Sequence, residues 1–237
     1  MIAKLLDLLI PSRCAACGAR GAPCCARCER VWGSVSEVVR VPTAGLVRVF
    51  ALARYRGVGR RLLIAYKERG RRDLALSLGR ALAEALAVLP LRGTGTGTVS
   101  APVPQRVATV PPPSRAICLV PAPSRPSAAR VRGGPHVERL ADAAASVLAA
   151  RGFEVAVVPA LELAGGVRDA VGLDRAERVA NLAGRLRFRR SGRPPPGFPI
   201  VILDDVVTTG ATAAACVKAL AAEGFTVVAV LTLLAAG

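Results

Sequence analysis

The residues with the most chemistry in this chain lie in one run, Val201-Ile202-Leu203-Asp204-Asp205-Val206-Val207-Thr208-Thr209-Gly210-Ala211-Thr212-Ala213. An apolar stretch leads into two carboxylates, then into a small hydroxyl-rich turn that opens a helix. Thr208, Thr209, Gly210 and Thr212 offer hydroxyls and backbone amides at that helix N-terminus, where unpaired N–H groups and the positive dipole end favour a phosphate. Gly210 lets the backbone approach a ligand closely. Two adjacent carboxylates would repel a phosphate, so both are expected to face ribose hydroxyls, which can donate to them. The spacing predicts a ribose 5-phosphate cradle at the carboxyl end of a parallel strand, where open α/β sheets bind ligands. The plain alternative is a strand and a capped helix with solvent-facing acids.

A second cluster lies near the start. Of seven cysteines, five fall between positions 14 and 28, and four of them, Cys14, Cys17, Cys25 and Cys28, form a C-x2-C-x7-C-x2-C pattern with Cys24 as an extra. Clustering of this kind favours a metal over a disulfide framework. Two such knuckles bring four thiolates within reach of one ion, and Zn²⁺ is the usual occupant of a four-sulfur site. An iron–sulfur cluster or plain reduced thiols are the other readings. Four thiolates leave no open position for water or substrate, so the site is expected to hold structure and not to catalyse. Cys118 and Cys216 sit in apolar contexts and are expected in the core.

These groups need a scaffold, and the composition allows one. The chain has 237 residues, 52% hydrophobic and 21% charged, enough to bury a core. No apolar run reaches the about 18 residues of a membrane span. Met1 to Ile10 is split by Asp7 and runs into Pro11 without a small-residue cleavage site, so a cytoplasmic protein is expected. The net charge of +17 favours polyanions, yet the bases are scattered, and only 3% of residues are aromatic. That argues against a stacking platform for single strands.

The elements read as follows. Leu46 to Tyr55 alternates as a strand, Arg60 to Lys67 has helical spacing, and Asp73 is placed to cap a long Ala/Leu helix ending at Leu89. Positions 92 to 115 turn to Gly, Thr and Pro and are expected to be a mobile insertion. Beyond it, strand Ala116 to Pro121, helix Val137 to Arg151 and strand Phe153 to Pro159 follow, then a helix Leu173 to Leu182. The chain closes with strand Ile200 to Leu203, helix Thr212 to Glu223 and strand Thr226 to Leu233. Strands alternating with helices imply a parallel sheet covered on both faces. The expected division is a zinc-binding segment at 1–45 and an α/β domain at 46–237.

The acidic run resembles the phosphoribosyl-pyrophosphate-binding motif of type I phosphoribosyltransferases. With the four-cysteine start, the chain is similar to the ComF family of competence-associated phosphoribosyltransferase-like proteins, which includes GntX-type members. Tyr66-Lys67, Gly70-Arg71-Arg72-Asp73-Leu74, Val120 to Arg125, Arg132-Gly133 and Gly172-Leu173 share in the likeness. The resemblance implies that Asp204 and Asp205 hold the ribose hydroxyls and that Val207, Thr208, Thr209, Gly210, Ala211 and Thr212 wrap the 5-phosphate. It implies that the loop with Pro123, Ser124 and Arg125 receives pyrophosphate, that Arg178 and Asn181 look onto the site, and that Mg²⁺ accompanies the pyrophosphate. His136 follows Arg132-Gly133-Gly134-Pro135, where relatives carry a Gly-Phe-Asn-Gln type of sequence. Lys67 with Arg71-Arg72 could form a basic edge, although a solvated surface is the expectation there. Two functions follow: phosphoribosyl transfer using phosphoribosyl pyrophosphate or a nucleotide, or a non-catalytic competence module that touches single-stranded DNA or DNA-processing proteins.

Overall fold

The computed structural model describes residues 12–91, 115–124, 134–163 and 186–237. The expectations for Met1–Ile10, most of the 92–115 insertion, Arg125, Arg132-Gly133, the helix 173–182, Arg178 and Asn181 lie outside the described residues.

In chain order the elements are α1 (Ala26–Glu29), β1 (Ser36–Glu37), β2 (Val49–Arg54), α2 (Gly57–Glu68), α3 (Ala75–Val88), β3 (Ala116–Pro121), α4 (His136–Ala149), β4 (Glu154–Val157), β5 (Leu161–Leu163), β6 (Leu186–Phe188), β7 (Ile200–Val207), α5 (Ala211–Ala222) and β8 (Val227–Ala235). One sheet runs β1-β2-β8-β7-β3-β4, and β5 with β6 makes a separate ribbon. Within the sheet β2, β8, β7, β3 and β4 are all parallel, and only β1 is antiparallel to its neighbour. The protein is therefore a mixed α/β fold on a mostly parallel central sheet.

The strands show why. All six residues of β3, Ala-Ile-Cys-Leu-Val-Pro, are buried, as a strand covered on both faces requires. Leu119 pairs with Val201 and Ile202 with Val230, so apolar positions line up across the sheet. On one face α2, α3 and α4 pack over Leu119, Val201, Leu203 and Leu231. On the other, α5 and the β5–β6 ribbon cover Cys118, Val120, Ile202 and Val230. Cys118 and Cys216 are fully buried, as the sequence led us to expect. Where α3 crosses α4, a Cβ on Gly79 would stand 2.5 Å from that of Ala143, so only glycine permits this close approach.

Three local expectations change. Asp73 does not cap α3: a 3-10 turn, Arg72–Leu74, precedes the helix, Leu74 is its N-cap, and the Asp73 carboxylate is held by Arg71 at 2.8 Å. β7 does not stop at Leu203 but runs to Val207, because β8 continues beside it with Asp204 opposite Thr232 and Val207 opposite Ala235. The acids are thus strand residues, not loop residues. The short strands β1, β5 and β6 were not anticipated, although Leu-Glu-Leu and Leu-Arg-Phe do alternate. Among the described residues no helix is long and apolar enough to cross a membrane.

Candidate functional site

The connection β3 to β4 passes through α4 on one face, and β7 to β8 passes through α5 on the other. Since β3 and β7 are adjacent, their carboxyl ends flank the point where the winding reverses, which is where open parallel sheets leave a crevice. Three segments meet there: the exit of β3 (Ala122–Ser124), the end of β7 with its turn (Asp204–Thr212), and the first residue of α4, His136. The Ala122 N–H donates to the Leu203 carbonyl at 2.8 Å and ties the first two together.

Side chains alternate along a strand, so the two aspartates point to opposite faces. Asp204 looks toward α5 and lines a cavity of about 20 Å³ with Ala122, Thr208, Gly210, Thr212 and Thr232. That volume is about one water. The Asp205 N–H donates to Asp204 Oδ1 at 2.8 Å. Burial, then the charge of Asp205, pushes the Asp204 carboxyl well above the usual range.

Asp205 looks the other way. It is 5% exposed, and its Oδ2 takes both Lys67 Nζ at 2.6 Å and His136 Nε2 at 2.7 Å. Burial alone would raise this carboxyl, but the hydrogen bond from His136 and the Lys67 charge outweigh it and hold it low. The other nitrogen, His136 Nδ1, lies 3.2 Å from Ser124 Oγ. Tyr66, whose hydroxyl burial pushes up to about 12, donates to the His136 carbonyl at 2.7 Å. The two acids therefore do not share one face of the strand: Asp204 faces the turn, and Asp205 is taken up by Lys67 and His136. The expectation of a solvated Lys67 is corrected, since its amine sits on Asp205 and its side chain is only 27% exposed.

The turn forms as its residues suggest. Gly210 is the N-cap of α5 at φ +83°, a left-handed conformation that favours glycine. No side chain caps the helix from Gly210; Thr209 Oγ1 accepts from the Ala211 N–H at 3.3 Å. The helix start leaves further amides without intrahelical partners. Val207 and Gly210 are buried, Thr208 is exposed, and Thr209, Ala211 and Thr212 are half-buried; Pro123 and Ser124 are half-buried on the neighbouring loop.

A residue that the sequence reading passed over completes the turn. Arg40 donates from Nε to the Thr208 carbonyl and from Nη2 to the Ala236 carbonyl, both at 2.6 Å, and from Nη1 to its neighbour Val39 at 3.0 Å. A Cβ on Gly210 would stand 2.9 Å from the Arg40 Cβ, so glycine is also needed for this packing. Nothing local marks Arg40; it is 168 residues from Thr208.

The four cysteines converge as expected. The Sγ atoms of Cys14, Cys17, Cys25 and Cys28 all lie within 4.8 Å of one another, and Cys17 and Cys25 are 3.6 Å apart. A tetrahedral zinc site with Zn–S of about 2.3 Å separates its sulfurs by about 3.8 Å, so this set can hold such an ion. Cys14 is buried, which opposes ionisation, yet the amides of Cys25, Cys17 and Ala16 outweigh that and lower its thiol. Cys24 stands apart: burial pushes it up to about 12, the behaviour of a core thiol. The knuckles pack into the α2–α4 side of the core with Trp32, and Arg71 Nη2 donates to the Arg13 carbonyl at 2.9 Å.

A cavity of about 1080 Å³ opens at the amino ends of β3, β7 and β8, lined by apolar residues such as Leu89, Phe153, Pro196 and Phe225. It contains none of the acids or threonines of the 204–212 segment. No family model matches this chain and no curated protein does, so its likeness to a family rests on its own motifs.

Proposed function

We propose that this chain is a ComF-like protein with a type I phosphoribosyltransferase fold, whose crevice between β3 and β7 takes phosphoribosyl pyrophosphate or a nucleoside monophosphate. The observation that carries this reading is the position of the Asp-Asp-Val-Val-Thr-Thr-Gly-Ala-Thr run: it leaves a central parallel strand and opens α5 at the reversal of winding. The amides and hydroxyls of Thr208 to Thr212 would hold the 5-phosphate, and Asp204, facing that turn, would accept from a ribose hydroxyl. Ser124, on the loop after β3, would meet the pyrophosphate.

Mg²⁺ keeps much of its water and is held largely by substrate phosphates, so it would arrive with the pyrophosphate and neutralise its departing charge. The protein's own task is positioning and electrostatic support of an oxocarbenium-like carbon, with no covalent step. Zn²⁺ is the proposed occupant of the four-cysteine site, where it holds the N-terminal knuckles on the core.

The test is a titration of phosphoribosyl pyrophosphate with Mg²⁺, followed by calorimetry and thermal shift. Saturable stabilisation is expected, growing with the logarithm of ligand concentration above the dissociation constant. Its loss in Asp204→Asn and in Thr209→Val would support the cradle. Unchanged binding in both variants, or none in the unaltered protein, sinks the reading.

A further inference from the structure

The chain Ser124–His136–Asp205–Lys67 has a consequence for how the site meets an anion. Asp205 Oδ2 already accepts from Lys67 Nζ, and a carboxylate offers His136 only lone pairs, so Nε2 must carry the hydrogen at 2.7 Å. A neutral ring then has a bare Nδ1. Ser124 Oγ, 3.2 Å away, has one hydrogen and must donate it there. In that state Ser124 presents only lone pairs to the crevice, which repel a phosphate oxygen. A second proton on the ring reverses the bond: Nδ1–H donates to Ser124 Oγ, and the serine hydrogen is released to point at an anion.

We propose that Ser124 and His136 form a proton-coupled anion contact, in which a phosphate or pyrophosphate oxygen binds at Ser124 as His136 takes up one proton from solvent. The inference rests on the reading of the β3 exit loop as the pyrophosphate side of the site. The surroundings favour coupling. Lys67 and Tyr66 face the histidine from α2, Asp205 from β7, and Ser124 from the loop after β3, while Arg139 and Asp142 act on Tyr66 from α4 itself. A proton added to the ring and an anion held at Ser124 would stand one hydrogen bond apart with opposite charges, which couples the two events. The ring is 5% exposed, so water cannot substitute easily for either partner.

The chain has a single histidine, so its imidazole nitrogen resonances belong to His136 alone. The experiment follows them by NMR on the full chain from about pH 6 to 9, with and without inorganic pyrophosphate. The free protein is expected to show Nε2 protonated and Nδ1 bare at the alkaline end. Pyrophosphate is expected to convert the ring to the doubly protonated form and raise its midpoint by about one pH unit, a tenfold coupling. In Ser124→Ala, pyrophosphate still shifts the amides of residues 208–213 while the histidine midpoint stays in place. In His136→Gln, pyrophosphate affinity loses the part of its pH dependence that the ring supplies. An Nδ1-protonated neutral ring, or an equal midpoint shift in Ser124→Ala, overturns the inference. If pyrophosphate moves the turn but not the ring, the inference alone falls. If it moves neither, the phosphoribosyl reading falls with it.

Discussion

Asp204 and Asp205 are identical in type and adjacent in sequence, yet they stand in opposite surroundings. The face of β7 that carries Asp205 is consolidated: Lys67, His136, Tyr66, three helices and the cysteine knuckles all pack there. The face that carries Asp204 ends in a water-sized cavity under a helix start whose N-cap is a glycine, and no cation pairs with that carboxylate among the described residues. One acid serves stability and orientation, while the other is left with unsatisfied capacity. A carboxylate that raises its own pKa through burial and a like charge costs stability, and such a cost is typical of a functional position. Under the proposed function the same motif letters would divide into a support, Asp205, and a reader, Asp204, and that division can be tested one face at a time.

The largest effect is expected on the consolidated face. Structural zinc in finger peptides is bound with about 10 to 16 kcal/mol, so stripping it with a strong chelator, or introducing Cys25→Ala, should lower the unfolding temperature more than any other change here. Elemental analysis should give one zinc per chain, retained in Cys24→Ala and lost in Cys25→Ala. Metal content unchanged in Cys25→Ala would break the four-sulfur assignment.

Next comes Asp205→Asn. It leaves the Lys67 ammonium and the buried imidazole without their carboxylate, and breaking a buried pair from one side costs about 3 kcal/mol. For a chain of this size that is a fall of roughly 6 to 12 °C. Asp204→Asn should do the reverse, with stability unchanged or slightly raised and ligand binding lost. The pH profiles sharpen the contrast. Asp205 is held below its unfolded value, so its contribution is present above about pH 4 and is lost as pH falls through the folded value. Asp204 is held above its unfolded value, so it weakens the fold as pH rises from about 4 through its folded value, and acid relieves that cost. Denaturant melts against pH should therefore lose their neutral-side decline in Asp204→Asn only. Equal effects of the two substitutions would erase the distinction.

What was legible in the sequence followed local rules. The continuous burial of Ala116 to Pro121, the α3 and α4 periodicities and the cysteine spacing each depend on residues close in the chain, and each forms as read. The site was legible only in part. Thr208 to Thr212 carry their own turn chemistry, but which way Asp205 points depends on β7 continuing to Val207, and that depends on β8 lying beside it. The roles of Lys67, His136 and Arg40 were hidden because their partners are distant: Asp205 is 69 residues from His136, and Thr208 is 168 from Arg40. Asp73 shows the same limit in reverse, where a strong local cap signal loses to an arginine two residues away.

The smallest effect belongs to the seam between the faces, at Arg40. All three of its hydrogen bonds go to backbone carbonyls, so Arg40→Ala removes a brace without leaving a buried charge unpaired. Arg40 is half-buried and those carbonyls can turn to water, so the loss should be about 1 kcal/mol. The sharper consequence is for the turn. Holding the Thr208 carbonyl and the Ala236 carbonyl just past β8 fixes how the amides after Thr208 are aimed, and anion contacts weaken quickly with misalignment. Phosphate-dependent stabilisation should therefore fall several-fold in Arg40→Ala while the unfolding midpoint without ligand moves little. Arg40→Lys, with one ammonium in place of a planar fork, should recover the charge but not the two simultaneous carbonyl contacts, and so only part of the affinity. Full recovery in the lysine variant would mean that Arg40 acts on the site through its charge alone and that the fork geometry is incidental.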